Sequence, residues 1–385
     1  MTAGQPWMAQ SLANGAAGTA LLHIERARTG QGTWQQAHSW ITKAVAGEIS
    51  AADATGLYLG APAVAFILHA ASTGSARYNG ALKEVDAHVV ALAHRRVDAA
   101  LARIRRGELT SFAEYDVFSG LTGIGAYLLR SSPQGSAMER VLRYLVELTR
   151  PLRVDGQALP GWWVGHDQHT RTSARYLGGH SNQGAAHGIT GPLLLLSQAV
   201  RHGVTVDGQY EAIETICAWF DAWEQHGQTG AWWPECVALA NLPTGRPAQR
   251  GPARPSWCYG TPGIARAQQL AAIATGDTKR QHAAEEHFAN CLSDPVQLGR
   301  LTDAGLCHGW AGVYQTVWRA ARDAASPALR TPLLHLADGL ARHAASVAAD
   351  GHGFLDGSSG TALALMTAAQ DTAPTSGWDA CLLID

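Results

Sequence analysis

The sequence predicts an all-α chain closed into an α/α toroid of about seven inner and seven outer helices. Three observations predict the helical ring. A tetrad of small residues, G-x-x-G, opens an apolar run seven times in 385 residues. Longer amphipathic segments alternate with these runs, their apolar residues recurring at helical spacing with charges between. No stretch shows the period-two alternation of a half-buried strand. Seven inner–outer pairs around a centre would gather the inner helix starts at one end.

The tetrads begin at Gly15, Gly60, Gly120, Gly188, Gly260, Gly309 and Gly357, and only the second lacks its second glycine, with Ala63 in that place. One G-x-x-G is weak evidence in a chain with 42 glycines; seven, each leading into a helix-length apolar run, are a repeat. Glycine there permits a positive φ and close backbone approach. The helix that follows points its free N–H groups at whatever precedes it. The outer segments include 33–49, 81–107, 137–152, 209–225 and 333–349. Before Gly15 there is room only for a short helix. The connections at about 152–186 and 226–257 are long and rich in Gly, Pro, His and Trp, and loops of that length usually carry function.

Composition narrows the class. A formal net charge of -2 gives no general affinity for nucleic acid or anionic membrane. Six cysteines are too few for a disulfide scaffold at this length. The N-terminus has neither the basic start nor the apolar core of a secretory signal. The longest apolar stretch, "LYLGAPAVAFILHAA", contains Gly, Pro and His and is too short to span a bilayer. A cytoplasmic setting follows, with thiols free for metal or chemistry.

If the tetrads share one end of a ring, the residues before them converge: Asn14, Leu59, Ser119, His187, Tyr259, His308 and Asp356. Cys258 and Cys307 each stand two places before their glycine, in neighbouring repeats. With His308 they make two sulfurs and one nitrogen, a set that suits tetrahedral zinc with one position open. Taken singly, each would more often be a buried apolar thiol or a helix cap. The other four cysteines have no such placement and read as structural. His187 reads as a general acid or base facing the metal, against a plainer role as a helix-start cap. Asp116, four residues before Gly120, reads as an orienter of an imidazole, against a charge favouring the helix dipole. Arg254 reads as a holder of an anionic enolate or a partner of Asp116, against a loop salt bridge. The pairs Trp162–Trp163 and Trp232–Trp233 read as anchors for a flexible peptide, against core packing.

The stretches "YDVFSGLTGIGAYLL", "AAHGITGPLLLLSQA", "RPSWCYGTPGIARAQQLAA" and "LCHGWAGVYQT" resemble the lanthionine synthetase C-like family, and most closely its stand-alone class I lanthipeptide cyclases. The resemblance runs from about residue 8 to "GWDACLLID", which makes residues 1–385 a single domain. It implies a seven-plus-seven helix toroid with zinc on Cys258, Cys307 and His308. It places the family's catalytic histidine on His187, and its site aspartate, arginine and tyrosine on Asp116, Arg254 and Tyr259. The implied reaction adds a peptide cysteine across a dehydroalanine or dehydrobutyrine. The implied partners are a dehydrated precursor peptide, a separate dehydratase, since no such domain is attached, and an export transporter. Two rival readings are a zinc-stabilised peptide-binding scaffold without catalysis and an enzyme adding glutathione to dehydrated peptides. A retained His187 and Asp116 speak against the scaffold.

Overall fold

The computed structural model describes residues 6–154, 156–167, 170–172, 176–345 and 351–385. Inner and outer helices alternate along it. α1 (Ala16–Arg28) and α2 (Trp34–Ala44) make the first pair, α3 (Ala61–Ser72) and α4 (Asn79–Arg105) the second. A single turn, α5 (Phe112–Tyr115), precedes α6 (Leu121–Ser131) and α7 (Ser136–Leu148). Next come α8 (Thr190–Arg201) with α9 (Gln209–Trp223), and α10 (Thr261–Thr275) with α11 (Thr278–Ser293). After another single turn, α12 (Pro295–Leu298), come α13 (Trp310–Asp323), α14 (Leu333–Ala344) and the last inner helix, α15 (Ser358–Gln370). Each inner helix starts within two residues of its tetrad's first glycine. Among the described residues ahead of the first tetrad, a 3-10 turn spans Pro6–Gln10.

Each inner helix packs on the next, and α15 packs on α1, which closes the ring. The apolar runs explain why: in α8 every residue from Thr190 to Ala199 is buried, so no face is left for solvent. Outer helices bury one stripe instead; in α4 it comprises Val85, Val89, Leu92, Ala93, Arg96, Val97, Ala100 and Arg103. Their starts carry side-chain caps where sequence supplies them, as at Thr33, which accepts from Gln36 N–H, and Asp277, which accepts from Arg280 N–H.

The glycines act mainly by close approach. A Cβ at the second glycine would fall 2.0 Å from Leu12 O at Gly18, 2.0 Å from Val117 O at Gly123 and 1.9 Å from Leu306 O at Gly312. In each case the carbonyl belongs to the residue six places earlier, so the incoming loop lies flat on the helix start. Positive φ is needed at only two of the seven first glycines, Gly60 (78°) and Gly260 (138°). Gly312→Ala should therefore cost about 1–3 kcal/mol of stability, the usual penalty for overpacking. Gly80→Ala, where a Cβ meets nothing within 4 Å, should cost none. Thermal melting of the two variants checks the contrast.

The seven incoming loops are themselves joined by a closed circuit of backbone hydrogen bonds. Leu12 N–H donates to Tyr58 O (3.1 Å), Tyr58 to Phe118 O (3.3 Å), Val117 to Ala186 O (3.1 Å) and Ala185 to Cys258 O (2.9 Å). Cys258 N–H donates to Cys307 O (3.2 Å), Cys307 to Leu355 O (3.1 Å) and Leu355 to Ala13 O (3.1 Å). Equivalent loops are thus spatial neighbours all the way round, as the repeat requires.

Two features departed from the sequence reading. Among the described residues the long connections contain six strands of three residues each: β1 (Leu152–Val154) with β2 (Gln157–Leu159), β3 (His180–Asn182) with β6 (Cys236–Ala238), and β4 (Gln225–Gly227) with β5 (Gly230–Trp232), all antiparallel. Three residues are too few for alternation to show in a sequence. In addition, the segment from Ser376 to Ile384 is buried throughout and runs inside the ring. It bonds to inner helices on several sides: Ser376 N–H to Glu25 of α1, Arg266 of α10 to Ile384 O (2.9 Å), and Arg319 of α13 to Asp379 (2.7 Å). Trp257 Nε1 donates to Leu382 O at 3.0 Å, so this segment also fixes the loop that carries Cys258.

Candidate metal centre and active site

Cys258 comes from the loop before α10, Cys307 and His308 from the loop before α13. The backbone bond between these loops brings one donor atom from each residue to within 4.8 Å of the others. Among the described residues this is the one such group of histidine, cysteine and carboxylate donors. None of the cysteines is oxidised to a disulfide. The Cys258 sulfur accepts a hydrogen bond from Cys307, and that bond, helped by His308, holds its thiol well below the ordinary range despite burial. The same bond, with burial, pushes Cys307 up, and the contact with Cys258 raises His308. Two soft sulfurs and an imidazole at this spacing form a donor set that fits zinc.

The next loop round the ring carries His187, and the loop beyond it Asp116. Asp116 is buried. Its Oδ1 accepts from Ser119 N–H (2.7 Å) and Gly120 N–H (2.8 Å), which turns the chain into α6. Its Oδ2 lies 2.6 Å from His187 Nδ1. A carboxylate oxygen can only accept here, so Nδ1 carries the hydrogen and Nε2 points away from Asp116. Phe118 stacks on the imidazole with centroids 4.9 Å apart and fixes the ring plane. Buried Arg96 of α4 donates to Thr55 O (2.8 Å), Ser119 O (2.5 Å) and Ala113 O, tying this loop to its neighbour. Asp116 thus uses one oxygen to hold the loop ahead of α6 and the other to meet the His187 imidazole.

A family model described as lanthionine synthetase C-like protein matches residues 6–383. The chain belongs to the lanthionine synthetase C-like family. It is similar to the nisin biosynthesis protein NisC of Lactococcus lactis subsp. lactis, with 22% identity over 205 residues, 52% of this chain and 48% of that protein. The matched stretch thus spans about half the length of that curated relative. A solved structure of nisin cyclase superposes with a TM-score of 0.84 at 19% identity, covering 98% of this chain and 93% of that one. That likeness carries the fold, an α/α toroid.

In this member of the lanthionine synthetase C-like family, Arg254 and Tyr259 flank the cluster. Arg254 Nη1 is 3.6 Å from Asp303 Oδ2, whereas Asp116 is occupied by Ser119, Gly120 and His187. The alternative partner of Arg254 is thus a loop carboxylate close to His308. The Tyr259 hydroxyl accepts from Asn182 Nδ2 at 2.7 Å.

Three site residues escaped the sequence reading: Asn182, Asp303 and Asp356. Asp303 Oδ2 lies 3.7 Å from His308 Nε2, and Asp356 Oδ1 lies 3.8 Å from His308 Nδ1. Burial pushes the Asp356 carboxyl up. Asp356 stood in the register of residues preceding the tetrads, so the signal for it was present but unused.

The tryptophan anchors are overturned. Trp162, Trp163, Trp232 and Trp233 are all buried, none more than 6% exposed. Their indoles pin the long connections to the body: Trp162 donates to Ser181 Oγ (2.8 Å), Trp163 to Gly178 O (3.0 Å) and Trp233 to Phe220 O (2.9 Å). Aromatic burial outweighed exposure on a loop. Of the cysteines read as structural, Cys217, Cys291 and Cys381 are buried, and burial pushes the first two thiols up to about 12. Cys236 is half-buried on β6. Among the described residues no helix is long and apolar enough to cross a membrane.

Proposed function

We propose that the chain is a zinc-dependent peptide cyclase, closing lanthionine and methyllanthionine rings in a dehydrated precursor peptide. The observation that carries the reading is the convergence of a Cys–Cys–His donor set and a carboxylate-held imidazole on adjacent loops of one ring. Cys258, Cys307 and His308 would hold the metal. When bound, zinc supplies an open position at which a thiol is coordinated and deprotonated.

The reaction adds S–H across a C=C bond. The sulfur joins the β-carbon, the π electrons move toward the peptide carbonyl as an enolate, and a proton completes the α-carbon. His187 has Nδ1 fixed on Asp116, so its Nε2 is the atom that exchanges this proton or takes the one released by the thiol. Arg254 supplies positive charge for the enolate oxygen, and the Tyr259 hydroxyl a donor beside it.

A separate dehydratase provides the unsaturated residues, and an export transporter takes the product onward. Ring closure leaves peptide mass unchanged, so the test counts thiols. Purified protein is incubated with dehydrated precursor, and free cysteines are alkylated and read by mass spectrometry. The expected result is loss of alkylatable thiols with time; full alkylation at all times contradicts the reading.

A further inference from the structure

The repeat holds a second register of site residues. Six places before the first glycine of the fourth, fifth and sixth tetrads stand Asn182, Arg254 and Asp303. Asn182 and Asp303 build the same turn. Gly184 N–H donates to Asn182 Oδ1 (2.9 Å), and Gly305 N–H to Asp303 Oδ1 (3.0 Å). Gly188 donates to Gly184 O (2.9 Å), as Gly309 does to Gly305 O (3.1 Å). Ile189 N–H reaches Asn182 O (3.0 Å), as Trp310 N–H reaches Asp303 O (3.1 Å). One side-chain atom is thus spent on the turn in both repeats, and the other projects to the site. Asn182 Nδ2 donates to the Tyr259 hydroxyl; Asp303 Oδ2 stands 3.6 Å from Arg254 Nη1 and 3.7 Å from His308 Nε2.

We propose that Asn182 and Asp303 are positioning residues, Asn182 for Tyr259 and Asp303 for the Arg254–His308 pair. The amide orientation of Asn182 is set by Gly184, whose N–H requires Oδ1; the remaining atom is a donor. Tyr259 therefore accepts from Asn182 and does not spend its own proton on that bond. Asp303 is charged where Asn182 is neutral, and the charge faces a guanidinium and a proposed metal ligand. Carboxylates behind a metal-binding imidazole fix its orientation and raise its basicity.

The test exchanges the two residues, and it rests on the cyclase reading above. Asp303→Asn and Asn182→Asp each install the side chain that the equivalent turn already uses, so both turns keep their Oδ1 acceptor. Asp303→Asn should weaken zinc, measured by chelator competition, by about 10- to 100-fold. It should also shrink the rate loss caused by Arg254→Gln in the double variant. Asn182→Asp should leave zinc affinity alone and lower kcat about tenfold at constant KM, because a carboxylate there takes the tyrosine proton. Zinc affinity unchanged in Asp303→Asn, or kcat unchanged in Asn182→Asp, overturns the corresponding half. A wild-type protein that binds no zinc and closes no ring counts against the cyclase reading instead.

Discussion

Alanine at both Cys258 and Cys307 is expected to strip the protein of zinc and reduce ring closure to the rate without enzyme. The two sulfurs are two of the three donors gathered within 4.8 Å, and a single imidazole cannot retain the ion. The wild type should hold about one zinc per chain, since the donors define one site. The fold should survive, because the loops are held by backbone bonds, including Cys258 N–H to Cys307 O, that the side chains do not make. Helix content by circular dichroism should stay close to wild type, with a lower melting temperature from the lost metal. Wild-type zinc content in the double variant would remove the metal assignment.

His187→Asn is expected to keep zinc and slow ring closure by about 10²–10⁴-fold, the usual worth of a positioned proton-transfer group. Its imidazole bonds Asp116 and stacks on Phe118, yet belongs to a different loop from any of the three sulfur and nitrogen donors. Asp116→Asn should act in the same direction: the amide keeps the Oδ1 acceptor that turns the chain into α6 and loses the carboxylate that holds Nδ1. Single-turnover thiol counts alongside metal analysis separate the two roles. Equal rates in the His187→Asn variant and wild type would leave the residue as a packing group only.

Much of the ring was legible because its signal is local and repeated. A small residue at two places three apart, followed by an apolar run, marks each inner helix, and the equivalence of the loops then puts Cys258 beside Cys307 without further information. What escaped detection depends on contacts far apart in sequence. The plug of residues 376–384 bonds to Glu25, Tyr58, Arg266 and Arg319, and nothing in its composition announces that it enters the ring. Asp303 and Asn182 differ in charge and look like ordinary loop residues until the shared turn aligns them. The tryptophan pairs failed for a different reason: on a long loop, an indole is as able to nail the loop down as to await a ligand, and the hydrogen bonds of Trp162, Trp163 and Trp233 show the first.

The Cys258–Cys307–His308 site, loaded with zinc, is expected to close the rings. One measurement addresses it most directly: the rate of thiol loss from a dehydrated precursor peptide, followed by alkylation and mass spectrometry, with the same protein sample as purified, after chelation, and after adding back one equivalent of zinc. The rate should fall to background on chelation and return with the single equivalent. A zinc-free sample that closes rings at the original rate would contradict it.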